Sequence, residues 1–210
     1  MSYEHKNLEK INVDVGNESE MNKLFDYLER TYKHIDVFIA NAGFAYYEYL
    51  QDKGFKDFDK IMHVNFYSVM LSAQKMKALN KDRPFNFMVT LSAVSYIQMP
   101  GYALYSASKT GLLGFLKSYR LELDKDQTIQ CVFPVATNTN FFERAEQTRI
   151  LGPVQSSEKV AKSMLKGLKR NKKMIYPFKP IRYGVLFAPW LLKLYVMKET
   201  KHFKKHHERG

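Results

Sequence analysis

Short apolar runs alternate with longer stretches of helical periodicity along most of this chain, and that alternation restricts the fold more than any other feature. Residues 10–13, 36–40, 85–91, 128–133 and 174–177 read as strands; residues of about 18–33, 57–79, 105–123 and 156–170 read as the helices that follow them. Strands separated by helices of this length need crossover connections, which make a mostly parallel sheet. Asn17 or Ser19 is placed to cap the first helix. In the second, Ile61, Val64, Asn65, Val69 and Ser72 fall near one face. At 210 residues and 45% hydrophobic content, a single core is feasible.

The chemistry concentrates around one helix. Phe85-Asn86-Phe87-Met88-Val89-Thr90-Leu91 reads as a buried strand, so Ser92 falls at its carboxyl end, where open α/β sheets bind ligands. Thirteen residues later comes Tyr105-Ser106-Ala107-Ser108-Lys109. Residues four apart on a helix share a face, so phenol and ammonium point into the same space. A free tyrosine titrates near ~10, and a neighbouring cation should lower that value toward the range of a working acid or base. Ser92 could then hold a substrate oxygen and aim it at Tyr105. A bare Tyr-x-x-x-Lys pair is more often a solvated helix face; the serine at the strand end argues otherwise here.

Further motifs stand in order around this set. The run Asp36-Val37-Phe38-Ile39-Ala40 ends in Asn41-Ala42-Gly43, Asn65 lies in the long helical stretch, and residues 134–139 follow the fourth strand. With these residues in this order, the chain from about residue 14 to about 177 resembles the short-chain dehydrogenase/reductase family. The resemblance implies a Rossmann-like, doubly wound, mostly parallel sheet. It implies NAD or NADP as cofactor and a catalytic set of Asn65, Ser92, Tyr105 and Lys109, with Asn65 holding a water in the proton relay behind the lysine. Cofactor contacts are implied for Asp14 and Val15 beside the adenine, and for Asn41, Ala42 and Gly43 beside the adenosine half. They are implied also for Tyr105, Lys109, Pro134, Thr137 and Thr139, the last at the nicotinamide carboxamide.

Two departures qualify the resemblance. The ten glycines (16, 43, 54, 101, 111, 114, 152, 167, 184, 210) nowhere cluster as a phosphate-binding loop requires. The forty residues before Asn41 hold a strand, a helix and a strand, with no room for another βαβ unit of about 30 residues. The expected sheet therefore lacks the family's first two strands and its glycine-rich loop. Apolar surface should be left bare and the pyrophosphate should lose its usual helix N-terminus. The second departure is Val135, where the family usually has glycine; a β-branched residue there puts the path of the loop in question.

Charge divides the chain in two. Residues 159–210 hold fifteen Lys/Arg and two Glu, a net of +13, while residues 1–158 hold eighteen Lys/Arg and nineteen Asp/Glu, a net of −1. The chain reads as a domain of residues 1–178 and an apolar, then basic, extension of residues 179–210. Two readings of the extension stand: an interfacial anchor on an anionic membrane surface, or a segment packed over the substrate pocket or a second subunit, with a solvated tail. Nucleic acid is set aside as a partner because no recognition motif accompanies the basicity. His202, His206 and His207 lack companion ligands, so no metal site is assigned. Cys131, the one cysteine, reads as a buried, inert thiol. Residues 1–10 are polar and charged, without a secretory pattern, which points to the cytoplasm, peripheral to a membrane if the extension is an anchor.

Phe44, Tyr46 and Tyr47, then Tyr96, Ile97, Met99 and Tyr102, then Phe141 and Phe142 fall in stretches that border the substrate cleft in the family. They imply a small apolar carbonyl or alcohol, unless several simply fill the core. The two long helices are expected to pair between copies in a homo-oligomer. Two function classes remain: an NAD(P)-dependent oxidoreductase, and an inactive fragment or non-catalytic binding module on the same fold.

Overall fold

The computed structural model describes residues 7–139, 141 and 153–207. Its main sheet has four parallel strands, β1 (Val37–Ala40), β2 (Phe85–Thr90), β3 (Gln127–Val132) and β6 (Met174–Ile175), in the order β1-β2-β3-β6. Two-residue strands β4 (Thr137–Asn138) and β5 (Gln155–Ser156) pair beside it.

Alternation along the strands assigns the two faces of the sheet. Phe85, Phe87, Val89, Ile129 and Cys131 point to one side, into a core shared with α1 (Glu18–Thr31), α3 (Ser68–Asn80) and α4 (Ala103–Tyr119). Asn17 caps α1, its side chain accepting the Glu20 N–H, and this anchors the end from which Met21 and Phe25 enter the core. Phe25, Phe38 and Phe87 form a stacked column from α1 through β1 to β2, with centroids 5.6 and 5.7 Å apart. On the other side, Met88, Val132 and Ile175 meet Met164 and Leu168 of α5 (Ser157–Lys169).

The second face is covered over β3 and β6 but not over β1. Val37 and Ile39 share the face of Met88, yet they are 37% and 45% exposed while Met88 is fully buried. Among the described residues no strand lies on the outer edge of β1. The bare apolar surface expected from the sequence is therefore present, on the sheet itself.

The predicted strand at residues 10–13 is not formed; residues 8–14 run without regular structure. A strand needs a neighbour for its backbone groups, and residues 10–13 lie beside none of the described strands. Ile11 is 46% exposed, and side chains hold the segment instead, Tyr27 donating its hydroxyl proton to Glu9 at 2.5 Å. The long helical region divides into α2 (Phe55–Met62), a π-turn (His63–Tyr67) and α3. The helix expected to reach residue 123 ends at Tyr119, where Arg120 donates to the Ile129 carbonyl at 3.0 Å. Val135 keeps an ordinary negative φ, since among the described residues only Lys81, Asn171 and Gly101 are positive, so the loop path tolerates the missing glycine.

The extension forms α6 (Lys179–Phe187) and α7 (Pro189–His207). Far along α7, Phe203 is buried against Tyr47 and Tyr49, with centroids 5.6 and 4.7 Å away, which brings the helix back onto the domain.

Candidate active site

The site is assembled at the carboxyl ends of β1, β2 and β3. Ser92 leaves β2 in extended conformation and starts a short 3-10 turn, where its hydroxyl accepts the Val94 N–H at 3.2 Å. That turn brings α4 back across the strand ends, with Tyr105 and Lys109 on its buried face, 8% and 4% exposed. Ser92 hydrogen-bonds the Tyr105 hydroxyl, and the Lys109 Nζ lies 5.9 Å from the centre of the Tyr105 ring.

Lys109 is fixed from the strand side by a contact the sequence did not single out. Its Nζ donates to the Thr90 carbonyl at 2.9 Å, and the Thr90 hydroxyl donates to Asn41 Oδ1 at 2.8 Å. The parallel register sets Ala40 beside Val89, so the next residues, Asn41 and Thr90, meet where the strands end. A register drawn from the sequence alone would have exposed this pair.

Asn65 is fully buried in the π-turn, a bulge often found at functional sites. Its Oδ1 accepts the Phe44 N–H at 3.0 Å; its Nδ2 donates to the Phe44 carbonyl at 2.8 Å and to Ser108 Oγ at 3.1 Å. The side chain thus clamps the turn after Asn41-Ala42-Gly43 to the helix that carries Tyr105. Gly43 completes the fit: a Cβ there would stand 3.2 Å from Asn65 Oδ1 and 3.5 Å from Lys109 Nζ.

The charge balance differs from the expectation. Lys109 was expected to pull the Tyr105 pKa down; instead burial pushes the phenol up to about 12, and the hydrogen bond with Ser92 is what opposes that rise. Burial also brings Lys109 down to about 8, with its ammonium turned to the Thr90 carbonyl. At neutral pH the phenol therefore keeps its proton. Cys131 is fully buried and its thiol is pushed up to about 11, the inert state expected of it.

The other predicted contacts lie around this centre. Pro134 accepts the Ala93 N–H at 2.9 Å, Thr137 donates its hydroxyl proton to the Val135 carbonyl at 2.9 Å, and the exposed Thr139 accepts the Phe141 N–H at 3.3 Å. Asp14 and Val15 precede Gly16, whose Cβ would stand 3.0 Å from Val64, the neighbour of Asn65. Of the predicted cleft aromatics, Tyr102 and Phe141 flank the Tyr105 ring at 6.0 and 5.7 Å, and Phe44, Tyr46, Tyr47 and Met99 join the same cluster. Tyr96 does not: it packs on Phe133 at 5.0 Å and faces the Tyr176 hydroxyl at 3.4 Å, inside the core. Phe142 lies outside the described residues.

The residues present fit one end of a dinucleotide. Asn41, Ala42, Gly43, Tyr105, Lys109 and Thr139 could hold a nicotinamide and its ribose. For the pyrophosphate they do not fit: no glycines cluster, and the N-terminus of α1, beside Asp14, opens with Glu18 and Glu20. The first turn is already served by Asn17, and the Glu20 carboxylate accepts the Asp14 N–H at 2.7 Å. Two carboxylates there repel a phosphate.

Comparison with known proteins agrees with this geometry. The family described as short chain dehydrogenase matches residues 2–169. The chain is 28% identical over 142 residues to a 3-oxoacyl-[acyl-carrier-protein] reductase FabG of Buchnera aphidicola subsp. Baizongia pistaciae, covering 67% of this chain and 58% of that protein. It is 30% identical over 169 residues to 17-beta-hydroxysteroid dehydrogenase 13 of Mus musculus, covering 78% of this chain and 55% of that protein. This chain thus spans little more than half the length of these relatives. Among solved structures, a short chain dehydrogenase from Burkholderia cenocepacia J2315 in complex with NADP superimposes with a TM-score of 0.76 at 17% identity, over 89% of this chain and 80% of that one. One from Sphingobium yanoikuyae in complex with NADPH gives 0.72 at 20% identity, over 79% and 66%. Matched over four-fifths of its length, with Ser92, Tyr105 and Lys109 converging at the strand ends, the chain belongs to the short-chain dehydrogenase family.

Proposed function

We propose that this chain carries the proton-transfer half of an NAD(P)-dependent oxidoreductase that interconverts a carbonyl and an alcohol on an apolar substrate. The hydrogen bond between Ser92 and a buried, protonated Tyr105 carries the reading. A bound nicotinamide would supply or accept the hydride. The rest falls to the chain's own side chains. Ser92 donates to a substrate oxygen, and Tyr105 delivers its proton to the same oxygen as charge develops there. Lys109 holds a positive charge behind the phenol to steady the phenolate left behind. With its phenol protonated at neutral pH, Tyr105 stands ready as the acid for carbonyl reduction. Tyr102, Phe141 and Met99 around Tyr105 support an apolar substrate.

Association of two copies fits the same reading. Ala103, Ala107, Gly111 and Gly114 are exposed along the outer face of α4, and Tyr67 is 48% exposed beside α3. The competing reading, a chain that keeps the fold without turnover, draws on the absent phosphate cradle.

A chimera decides between them. Placing the first two strands and intervening helix of a solved relative ahead of residue 7 supplies the cradle and covers Val37 and Ile39. The chimera should consume reduced nicotinamide with apolar ketones, and faster than with polar ones. A folded chimera that binds the dinucleotide yet consumes none with any ketone would overturn the proposal in favour of the non-catalytic reading.

A further inference from the structure

The helices α6 and α7 expose large apolar side chains and cations together. On α6, Tyr183, Leu186 and Phe187 are 58%, 57% and 75% exposed, at the i, i+3, i+4 spacing of one face. On α7, Trp190, Leu194 and Met197 are 60%, 54% and 51% exposed and form a second stripe. At 100° per residue that stripe continues into Lys201 and Lys205, both exposed. The opposite face of α7 is different in kind: Glu199 and Phe203 are buried and Val196 half-buried against the domain. So the outward stripe is not the packing face of the helix.

Charge separates the candidate occupants. Residues 179–207 hold seven Lys/Arg, and their one acidic residue, Glu199, is buried. A second copy of the same surface would bring seven cations against seven. A partly apolar, partly cationic surface fits an interface that is itself apolar below and anionic above. Tyr and Trp rings suit that depth, with lysines reaching back to the headgroups. No helix among the described residues is long and apolar enough to cross a membrane, so the geometry is one of lying on the surface. Gly184 lets the two helices close on each other, since a Cβ there would stand 3.0 Å from the Leu192 side chain.

We infer that α6 and α7 form a docking surface for an anionic lipid bilayer, lying in its plane with Tyr183, Phe187, Trp190, Leu194 and Met197 at acyl-chain depth. Trp190 is the sole tryptophan, so its emission reports the docked face directly. The 210-residue chain should float with phosphatidylcholine vesicles containing about 30% phosphatidylserine and much less with phosphatidylcholine alone. Trp190 emission should shift to the blue and be quenched by brominated acyl chains. Leu194→Asp with Met197→Asp should abolish the shift while leaving the melting curve unchanged, both residues being exposed. Replacing Lys198, Lys201, Lys204 and Lys205 by Gln should weaken binding by on the order of 100-fold or more. Should the aspartate pair unfold the chain, the lysine set and the quenching of Trp190 in the unaltered chain still decide. Flotation without quenching, equal binding to neutral vesicles, or a blue-shifted Trp190 in a vesicle-free dimer dispersed by the aspartate pair would each overturn the inference.

Discussion

Tyr105→Phe, introduced into the chimera that carries a phosphate cradle, will lower turnover by about 100- to 10,000-fold while dinucleotide affinity changes little. The substitution removes one hydroxyl and keeps the ring, so its contacts with Tyr102 and Phe141 at 6.0 and 5.7 Å survive. What disappears is the phenolic proton, together with the oxygen to which Ser92 hydrogen-bonds. Steady-state assay with an apolar ketone, beside a fluorescence titration of reduced dinucleotide, separates the two quantities. Turnover within a few fold of the unsubstituted chimera would remove Tyr105 from the chemistry.

Lys109→Met will make the chain more stable at neutral pH and a poorer enzyme in the chimera. Lys109 is 4% exposed and its pKa is brought down by burial from 10.5 to about 8. The folded chain therefore binds this proton less tightly than the unfolded chain. The resulting penalty is complete below pH 8 and fades as pH rises toward 10.5. Removing the cation should stabilise by about 1–3 kcal/mol at neutral pH, after allowing for the lost bond to the Thr90 carbonyl. Tyr105 acts in the opposite sense: with its pKa raised from 10 to about 12, it contributes stability below pH 10 that is lost as pH climbs to 12. Stability of Lys109→Met relative to the unaltered chain, measured by denaturant unfolding across this range, should be greatest at neutral pH and decline above pH 8. A destabilised Lys109→Met at neutral pH would mean that the ammonium has partners strong enough to offset its burial.

The convergence of Ser92, Tyr105 and Lys109 was legible because each is fixed by local spacing: Ser92 by the end of an apolar run, Tyr105 and Lys109 by one helical turn. Their acid–base balance was not, because it depends on the depth of the pocket, and desolvation of the phenol outweighs the lysine. The strand at residues 10–13 failed for a related reason. Its local pattern suits an extended chain, but a strand exists only beside another, and residues 10–13 join neither sheet. Tyr96 sits between Ser92 and Tyr105 in sequence, yet the 3-10 turn at Ala93–Ser95 rotates it away, toward Phe133 and Tyr176. The clamp of Asn65 on Phe44 and Ser108 needs backbone positions that no spacing rule supplies.

Dinucleotide titration separates a proton-transfer site from a complete cofactor site on a chain whose described residues lack a pyrophosphate cradle. Reduced dinucleotide is added to the 210-residue chain and to the chimera while nicotinamide fluorescence is followed. The chain alone should show no saturation below roughly millimolar concentration, because Glu18 and Glu20 oppose the phosphates at the N-terminus of α1. The chimera should saturate in the micromolar range, and Lys109→Met should weaken it there. Micromolar binding by the 210-residue chain alone, undiminished by Lys109→Met, would contradict the account.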